Sequence, residues 1–388
     1  MSDLLGIDEA LALVLARARP LPLEEVPIAG AVGRVLGEDG VAATDLPPFD
    51  SSAMDGYAVR AADTPGTLRL VGHSAAGRPE PRPVGPGEAV AISTGAVVPD
   101  GADAVVPVER TSGEVDVERV ARGENIRSRG GDVRAGDVVV EAGSVLGPPQ
   151  AAALAAAGVA VVRCGRRPRV AILATGSELR PPGEPLARGE IYESNSVLVA
   201  GQLEATGAEV SVLPVVADDA TATRVAIAAG LAHDVLVTSG GVSVGPHDLV
   251  RATLAELGAE EIFWRVAVKP GKPIAFAVRG DALVFGLPGN PVSSLVGVEL
   301  FVRPALRALQ GARDPGPEFL PGRLSRAVRR TAERDELVRA RRSGDRLEPL
   351  VGQDSHMIAR AAAANALVLI PRGEGELAEG APVRYLPI

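Results

Sequence analysis

The sequence predicts a multidomain α/β protein, in which a central, mostly parallel α/β sheet domain follows N-terminal helical and β-rich domains and precedes a small C-terminal β-barrel. Its 388 residues exceed the roughly 150 residues of an average domain. Hydrophobic residues make up 46% but aromatic residues only 3%, which indicates a core of Ala, Val and Leu, suited to helices packed on a sheet. Residues 169–310 alternate strand and helix patterns.

The N-terminal part combines helical spacing with short strands. Residues 8–19 have a helical spacing of Ala and Leu, and Pro20 ends that pattern because proline cannot continue a helix. Short alternating runs such as 105–108, 115–117 and 138–140 are separated by Pro, Gly and Asp, which predicts β-rich structure with long loops. The alanine-rich residues 150–157 predict one further short helix.

The central region has the order of a doubly covered parallel sheet. Predicted strands cover residues 170–174, 210–216, 235–238, 262–268, 274–278 and 282–286, and predicted helices cover 194–205, 220–231, 249–257 and 291–309. Short strands at 320–330, 336–341, 347–351, 367–370 and 383–386 then predict a small barrel or sandwich. Ligands of parallel α/β sheets bind beyond the carboxyl ends of the strands, so the loops there are the candidate site.

Charge and cysteine content exclude several classes of protein. The net charge of −9 and pI near 5.2 argue against non-specific binding of nucleic acid or of an anionic membrane. No uninterrupted apolar stretch approaches the roughly 18 residues of a membrane span, and no signal peptide is recognised. The single cysteine, Cys164, excludes an internal disulfide and fits a reducing compartment. We therefore expect a cytoplasmic protein in which Cys164 only packs.

The two lysines of the chain mark one segment. The 40 basic residues comprise 38 arginines and only Lys269 and Lys272, both within KPGKP. A compact ammonium group differs from the planar fork of arginine, so we expect both lysines to contact an anionic ligand. Three of the four asparagines, Asn125, Asn195 and Asn290, lie in motifs that follow.

Three loops at predicted strand ends have the composition of phosphate or metal sites. TGSE (175–178) offers hydroxyls and a carboxylate, SGGVSVGPHD (239–248) offers a cradle of backbone N–H groups, and GLPGNPVSS (286–294) opens a helix with proline. A turn role for each loop, and a helix-capping role for Asp248, remain the alternatives. Together with Asn195, which lies in the separate segment IYESN, the substrate-binding candidates in these loops are Gly176, Ser177, Ser239, Gly240, Gly241, Pro288, Gly289, Asn290 and Pro291.

The β-rich region contributes a second set of motifs, at residues 47–58, 93–96 and 125–132. Arg127 and Arg129 could bind an oxyanion, or could form a solvated face. The sequence has no GxxxxGK[ST], GxGxxG after a strand or HExxH motif, which argues against P-loop ATPases, Rossmann dehydrogenases and zincins. With only four histidines, carboxylates are the expected metal ligands.

These motifs, in this order and spacing, resemble one family. FDSSAMDGYA, STGA, NIRSRGGD, TGSEL, IYESN, SGGVSVGPHD, KPGKP and LPGNPVSS are similar to motifs of the molybdopterin molybdenumtransferases (MoeA and the E domain of gephyrin). The resemblance spans nearly the whole chain. It implies a molybdopterin-binding type of central domain, and domains at residues 1–43 plus 136–167 (linker and dimerisation), 44–135 (β-rich), 168–311 (α/β) and 312–388 (β-barrel).

The resemblance also implies a function. The expected reaction is the last step of molybdenum cofactor synthesis, in which adenylylated molybdopterin and molybdate bind, AMP is released and molybdenum is placed on the dithiolene. A homodimer is implied, with the active site between the α/β domain of one subunit and the β-rich domain of the other. Further expected partners are the molybdopterin adenylyltransferase and the enzymes that receive the cofactor.

Site residues follow from the same resemblance. The acidic cluster, which would hold Mg²⁺ and assist the reaction, comprises Asp55, Asp132, Glu178, Asp218 and Asp248, with Asp55, Glu178 and Asp248 as the metal ligands. Molybdate or phosphate would contact Thr94, Arg127, Lys269, Lys272 and Ser355. The chain departs from the family pattern in the glycine before Asp132 and in Asp354 beside Ser355. Asp219 remains an alternative to Asp218, and preference for molybdate or tungstate stays open.

Two alternatives of different classes remain. One is a related enzyme, either an adenylyltransferase that prepares the substrate or a nicotinamide-nucleotide amidase with a similar α/β domain. The adenylyltransferase would lack the N-terminal motifs, and the amidase would not need KPGKP. The other alternative is a non-catalytic oligomeric scaffold, against which the intact acidic residues argue.

Overall fold

The computed structural model of the chain describes residues 4–113, 115–241 and 249–388. Its N-terminal part is mostly short strands. The elements are α1 (Ile7–Leu15), β1 (Leu23–Pro27), β2 (Gly40–Val41), β3 (Ser51–Ser52), β4 (Gly56–Val59), β5 (Gly66–Thr67), β6 (Arg69–Ser74), β7 (Glu88–Ile92), β8 (Ala104–Pro107), β9 (Thr111–Ser112), β10 (Asp116–Val117), β11 (Ile126–Arg127), β12 (Val138–Val140), α2 (Pro148–Ala156) and β13 (Val161–Gly165).

Two groups of strands divide this part. Strands β1 and β2 pair with β13 and β12, so that segments far apart in sequence share a small core around Leu36, Leu146 and Leu154. Between them, β6, β7, β4 and β8 form a four-stranded sheet in that order. Small apolar residues fill both faces of this sheet, including Ala58 and Val59. Cys164 belongs to the first core, and burial raises the pKa of its thiol, which agrees with a packing role.

The central domain has the predicted alternation of strands and helices. Its elements are β14 (Arg169–Ala174), β15 (Leu179–Arg180), β16 (Ile191–Tyr192), α3 (Asn195–Glu204), β17 (Glu209–Val212), α4 (Ala220–Gly230), β18 (Val235–Ser239), α5 (Leu249–Glu256), β19 (Glu260–Trp264), β20 (Val268–Lys269), β21 (Ala275–Arg279), β22 (Ala282–Leu287), α6 (Pro291–Gly297), a π-helical segment (Val298–Val302) and α7 (Arg303–Leu309).

Six of these strands form the sheet, in the order β17-β14-β18-β22-β21-β19. The first four run parallel, and β21 is antiparallel to both of its neighbours. Every residue of β18 and β22 is buried, because helices cover both faces of a central parallel strand. The carboxyl ends of β14, β18 and β22 consequently meet at one edge.

The long helix predicted after the last strand is continuous but irregular. Pro291 occupies its first turn, where the missing N–H has no cost. The turn Val298–Val302 is π-helical before regular α-helix resumes. All five residues of that turn are buried, and its four apolar residues belong to the largest described core, whereas Glu299 pairs with Arg303.

The C-terminal part is a closed barrel. Its elements are β23 (Leu320–Leu324), β24 (Val328–Arg329), β25 (Asp335–Ser343), β26 (Arg346–Pro349), α8 (Ile358–Ala361), β27 (Ala366–Ile370), β28 (Glu376–Leu377) and β29 (Pro382–Pro387). Strands β25, β26, β23, β29 and β27 follow one another, and β27 pairs back to β25. This closure leaves no free edge among the five strands, and it resolves the choice between barrel and sandwich.

The structure divides one predicted strand and shows which core covers the first helix. The predicted strand 262–268 is two strands, because β19 stays in the α/β sheet whereas β20 pairs with β25 of the barrel. Helix α1 was assigned to the first domain, yet Ile7, Ala10 and Val14 pack into the α/β core against the long helix. An amphipathic pattern identifies the buried face of a helix but not the domain that covers it.

In the described part of the chain, no helix combines the length and the apolar character needed to cross a bilayer.

A bidentate ion pair ties the segment before β14 to the turn before β18. Arg166 donates to both oxygens of Asp234, at 3.0 and 2.9 Å, and the backbone N–H of Arg169 adds a third bond at 2.7 Å. Burial opposes ionisation of Asp234, but the bonds from Arg166 and Arg169 outweigh it, so the pKa of this carboxyl lies below its ordinary value.

We predict that Asp234→Asn lowers the free energy of unfolding by about 2 kcal/mol at neutral pH, because charge-assisted hydrogen bonds are lost. Because the pKa of this carboxyl is lower in the folded state than in the unfolded state, its ionised form stabilises the fold at pH values above the unfolded-state pKa. This stabilisation is lost as the pH falls through the folded-state pKa. The deficit should therefore shrink on acidification below about pH 4. Urea unfolding at several pH values checks this, and a pH-independent deficit would contradict it.

Candidate active site

A cavity of about 700 Å³ lies at the edge where β14, β18 and β22 end. Three of its walls are the loops singled out in the sequence, and a fourth is the flap, which we define as residues 179–192. The described residues that line it are Ala174, Thr175, Gly176, Glu178, Leu179, Ile191, Tyr192, Glu193, Ser194, Asn195, Asp218, Ser239, Gly240, Gly241, Pro273, Pro288, Gly289, Asn290, Pro291, His356 and Ile358. The strand-end loops therefore converge as expected.

Asn195 fastens two of these loops together. Its Nδ2 donates to Ser239 Oγ and to the carbonyl oxygen of Gly289, both at 2.7 Å. The carbonyl acceptor fixes the orientation of the amide, because the opposite orientation would place two oxygens in contact. Asn195 Oδ1 is buried and has no hydrogen-bond partner among the described residues. Leaving such an acceptor unpaired costs about 1–3 kcal/mol.

Gly240 lets the loop after β18 approach the loop after β14. Its φ is +94°, a conformation that side chains rarely adopt. A Cβ on Gly240 would lie 2.6 Å from the carbonyl oxygen of Thr175. The glycine is therefore required for backbone contact between the two loops.

The charged side chains that line the cavity are acidic. They are Glu178, Glu193 and Asp218, and no lysine or arginine belongs to the described lining. Asp218 Oδ2 accepts from Ser177 Oγ at 3.2 Å, and the Asp218 N–H donates to the same hydroxyl at 3.0 Å. An anionic ligand in this cavity would thus need backbone N–H groups or a bound cation.

The structure separates Asp218 from its neighbour. Asp218 lines the cavity, whereas Asp219 caps α4 by accepting from Ala222 N at 2.7 Å. Glu193 also caps a helix, because its Oε1 accepts from Ser196 N at 2.8 Å at the start of α3. The N-terminus of α3 is therefore already capped by a side chain of the same chain.

The two lysines do not face this cavity. Pro273 alone represents KPGKP in the lining. Lys269 Nζ lies 3.0 Å from the mostly buried Glu336 Oε1 and lines a separate recess of about 410 Å³ against the barrel, where Arg326, Arg329 and Arg330 also lie. Lys272 is exposed. Strand β20 pairs with the barrel and places Lys269 beside it, so the gathering of both lysines with the glycine-rich loops stays a prediction.

The barrel contributes directly to the cavity. Asn290 Nδ2 donates to Ser355 Oγ at 2.8 Å, and Val292 N donates to the Ser355 carbonyl oxygen at 3.1 Å. His356, the next residue, lines the cavity. Ser355 thus connects the barrel loop to the LPGNP loop by hydrogen bonds. In these bonds Ser355 is the acceptor, so its hydroxyl can still donate to a ligand.

Arg339 is a residue that the sequence did not single out. It is 1% exposed, and its guanidinium donates to the carbonyl oxygens of Gly352, Asp354 and Met357 and to the Gln353 side chain. Burial lowers the pKa of Arg339. Among 38 arginines no sequence pattern distinguished this one, since its role depends on how the loop 352–357 folds back over the strand.

The N-terminal motifs form a second constellation. Strand β11 pairs with β3, with Arg127 opposite Ser51. Asp55 Oδ1 accepts from Thr94 N at 2.8 Å, so two predicted site residues are in contact. Asp132 is exposed, and its N–H donates to the Leu46 carbonyl oxygen at 2.9 Å.

These residues stay apart from the cavity within one chain. Asp55, Thr94, Arg127 and Asp132 are absent from its described lining. Of the predicted metal ligands Asp55, Glu178 and Asp248, the first two therefore do not share the cavity within one chain, and no group of three or more His, Cys, Asp or Glu side chains is placed for a metal among described residues. Asp248 lies outside the described residues.

Comparison with known proteins agrees with this architecture. Three family models match in succession: the MoeA N-terminal region (domain I and II) at residues 5–158, the probable molybdopterin binding domain at 171–308, and the MoeA C-terminal region (domain IV) at 321–388. The chain is thus a MoeA-type protein built round a molybdopterin-binding type of α/β domain.

Whole-length relatives define the family. A molybdopterin molybdenumtransferase of Haemophilus influenzae is 36% identical over 97% of this chain and 98% of its own. One of Staphylococcus aureus is 33% identical over 95% and 91%. A solved structure of the molybdopterin biosynthesis MoeA protein of Pyrococcus horikoshii is 33% identical, covers 99% of both chains and has a TM-score of 0.82. The chain belongs to the molybdopterin molybdenumtransferase family, as its motifs predicted.

We predict that Arg339→Lys lowers the free energy of unfolding by about 2–4 kcal/mol, because an ammonium group cannot reproduce the fork of donors that holds the loop 352–357. Limited proteolysis should then cleave within that loop faster than in the wild type. Arg341→Lys is the matched control, since Arg341 is an exposed residue of the same strand. Equal protection of the loop in both variants would refute this role of Arg339.

Proposed function

We propose that the chain is a magnesium-dependent molybdenum insertase, which binds adenylylated molybdopterin and molybdate, releases AMP and places molybdenum on the dithiolene. The observation that carries the proposal is the pairing of Glu178 and Asp218 with the glycine loops in one cavity. The names of the full-length relatives, which describe molybdenum transfer to molybdopterin, supply the substrate class.

The acidic lining fits a divalent cation. Mg²⁺ is commonly held by one or two carboxylates together with substrate phosphates and waters, and Glu178 and Asp218 supply two carboxylates in a cavity that the anionic diphosphate would otherwise avoid. Bound there, Mg²⁺ would neutralise charge on the diphosphate as its P–O bond breaks. Asp248, the other metal ligand predicted on this domain besides Glu178, follows the glycine loop at Gly240 in sequence.

The chain's own groups position the substrate. The glycine loops would supply backbone N–H groups to phosphate oxygens, although the Gly240 N–H itself donates to the Leu287 carbonyl oxygen at 3.0 Å. Ser177 orients the Asp218 carboxylate through two hydrogen bonds. Water attacks phosphorus, the bridging P–O bond breaks, and AMP leaves. Two thiols of the dithiolene then replace one molybdate oxygen, which departs as water, so the oxidation state of molybdenum is unchanged. No nucleophilic side chain is needed.

A second subunit completes the proposed site. Asp55, Thr94 and Arg127 form a compact group in the β-rich region but do not line the cavity of their own chain. In a homodimer they would close the cavity of the partner and supply the cationic Arg127 that the described lining lacks. The setting is the cytoplasm, where the molybdopterin adenylyltransferase would deliver the substrate and receiving enzymes would accept the cofactor.

We predict that Glu178→Gln and Asp218→Asn each lower the rate of AMP release by roughly a hundredfold or more, since each removes charge that acts at the breaking bond. The assay incubates purified protein with adenylylated molybdopterin, molybdate and Mg²⁺ and follows AMP. Asp55→Asn should act similarly in the dimer.

Asp219→Asn is the matched control, because asparagine also caps a helix and Asp219 lies next to Asp218 without lining the cavity. Its rate should stay close to that of the wild type. Undiminished AMP release by both the Glu178 and Asp218 variants would remove the acidic cavity from the reaction.

The recess at Lys269 supports a separate role in binding molybdate. We predict that Lys269→Met weakens molybdate binding and also lowers the free energy of unfolding by about 1–2 kcal/mol, because Glu336 loses its partner. The double variant Lys269→Met, Glu336→Gln should recover stability but not molybdate affinity, measured by calorimetric titration. If the double variant recovered both stability and molybdate affinity, Lys269 would have only a structural role.

A further inference from the structure

A second cavity, of about 490 Å³, lies between α3, the long helix after β22 and the barrel segment 358–364. We propose that it is a regulatory site, which binds a compact, neutral, aliphatic molecule and acts on the active-site cavity through Ile358. The regulatory role rests on the proposed function of the active-site cavity, whereas binding to the second cavity does not depend on that function.

The walls of the second cavity are aliphatic. Its branched apolar side chains come from both the α/β domain and the barrel and are Leu198, Leu295, Ile358 and Ile388. Three alanines of the segment 361–364 add smaller apolar groups, and no aromatic side chain belongs to the described lining. Ligand cavities typically measure roughly 300–1,000 Å³ and are lined mainly by apolar groups. Both the size and the composition of this cavity therefore fit a small apolar molecule.

The charged groups at the second cavity satisfy one another. Arg303 Nη1 donates to both carboxylate oxygens of Glu299, at 3.0 and 2.7 Å, and Arg303 Nε donates to Thr206 Oγ1 at 3.2 Å. Gln202 Nε2 also donates to Glu299 Oε1, at 2.8 Å. An ionic ligand would bury its charge beside a pair of charges that already neutralise each other, which is costly. The lining therefore favours a neutral ligand.

The irregular turn of the long helix lies at the same wall. Glu299 belongs to the π-helical segment Val298–Val302, Arg303 follows that segment, and both side chains line the cavity. Single π-helical turns inside α-helices are rare and occur frequently at functional sites. The departure from regular helix geometry is thus a second indication, independent of the apolar walls, that this cavity binds a ligand.

Two elements connect the second cavity to the active-site cavity. Ile358 lines both cavities, and it lies two residues after His356, which lines the active-site cavity. Helix α3 begins with Asn195 at the active-site cavity, and Leu198, one turn further along, lines the second cavity. A ligand that packs against Ile358 restricts the segment 355–358, and thereby the position of the His356 side chain.

Calorimetric titration of the full-length protein with 1-adamantanol tests the choice of ligand. 1-Adamantanecarboxylate and protonated 1-aminoadamantane have the same aliphatic cage but carry a negative or a positive charge. We expect the alcohol to bind at least about tenfold more tightly than either ion, because a buried charge would have no free partner. Tighter or equal binding of an ion, or no binding of the alcohol up to its solubility limit, would overturn the proposal.

The variant Gly201→Leu tests the location. Gly201 lines the second cavity, and a Cβ there would have no heavy atom within 4 Å, so leucine can extend into the open space. Leucine also favours a helix more than glycine does. We expect 1-adamantanol to bind this variant at least about tenfold more weakly, because the leucine side chain occupies the cavity. Wild-type affinity in Gly201→Leu would contradict the location.

Glu204→Leu is the matched control, because Glu204 is an exposed residue of the same helix outside the described lining. This variant should bind 1-adamantanol as the wild type does. Light scattering on both variants distinguishes a small ligand from a second copy of the chain. If Gly201→Leu changes the oligomeric state and Glu204→Leu does not, a second copy fills the cavity and the proposal fails.

Hydrogen exchange and AMP release test the regulatory role. 1-Adamantanol should slow amide exchange in residues 355–362 of the wild type and of Glu204→Leu, but not of Gly201→Leu. The rate of AMP release should change by at least about twofold in the same two proteins only. Unchanged exchange or unchanged AMP release with the alcohol bound would overturn this role. Wild-type AMP release by Glu178→Gln and Asp218→Asn would instead refute the proposed function, and the titrations would still decide whether the second cavity binds its ligand.

Discussion

The candidate site depends on one amide that fastens the ends of two parallel strands. Asn195, at the start of α3, donates to the last residue of β18 and to the loop that follows β22. Parallel strands bring their carboxyl ends to one edge, but they do not fix the loops beyond that edge. The Asn195 side chain does so, while its own oxygen is buried without a hydrogen-bond partner among the described residues.

The electrostatics of the cavity differ from those of a simple anion site. The described lining contains carboxylates and no basic side chain, while Lys269 and the arginines near it occupy a separate recess against the barrel. Carboxylates and phosphates repel one another unless a cation lies between them. The separation agrees with our proposal that a divalent ion and a second subunit complete the charge balance and that molybdate binds in the recess at Lys269.

The barrel is part of the site as well as a separate core. Ser355 bonds the LPGNP loop, His356 lines the cavity, and the buried Arg339 holds the loop that carries them. Arg339 donates only to carbonyl and amide oxygens, and the Asp354 carboxylate acts on its charge without a direct hydrogen bond. Strand β20 strengthens the same connection by pairing the α/β domain with the barrel.

The sequence by itself determined the order of strands and helices, because this order follows from the local periodicity of apolar residues. It also determined the family and the motifs of the strand-end loops, because glycines such as Gly240 mark positions where the backbone adopts a conformation that other residues rarely adopt. Only the tertiary structure decided that Asp218 and not Asp219 lines the cavity, that Lys269 faces the barrel, and that Arg339 matters. Those outcomes depend on the direction of single side chains and on contacts between domains. The spacing of residues along the chain encodes neither side-chain direction nor contacts between domains. In a strand, for example, a shift of one residue moves a side chain to the opposite face.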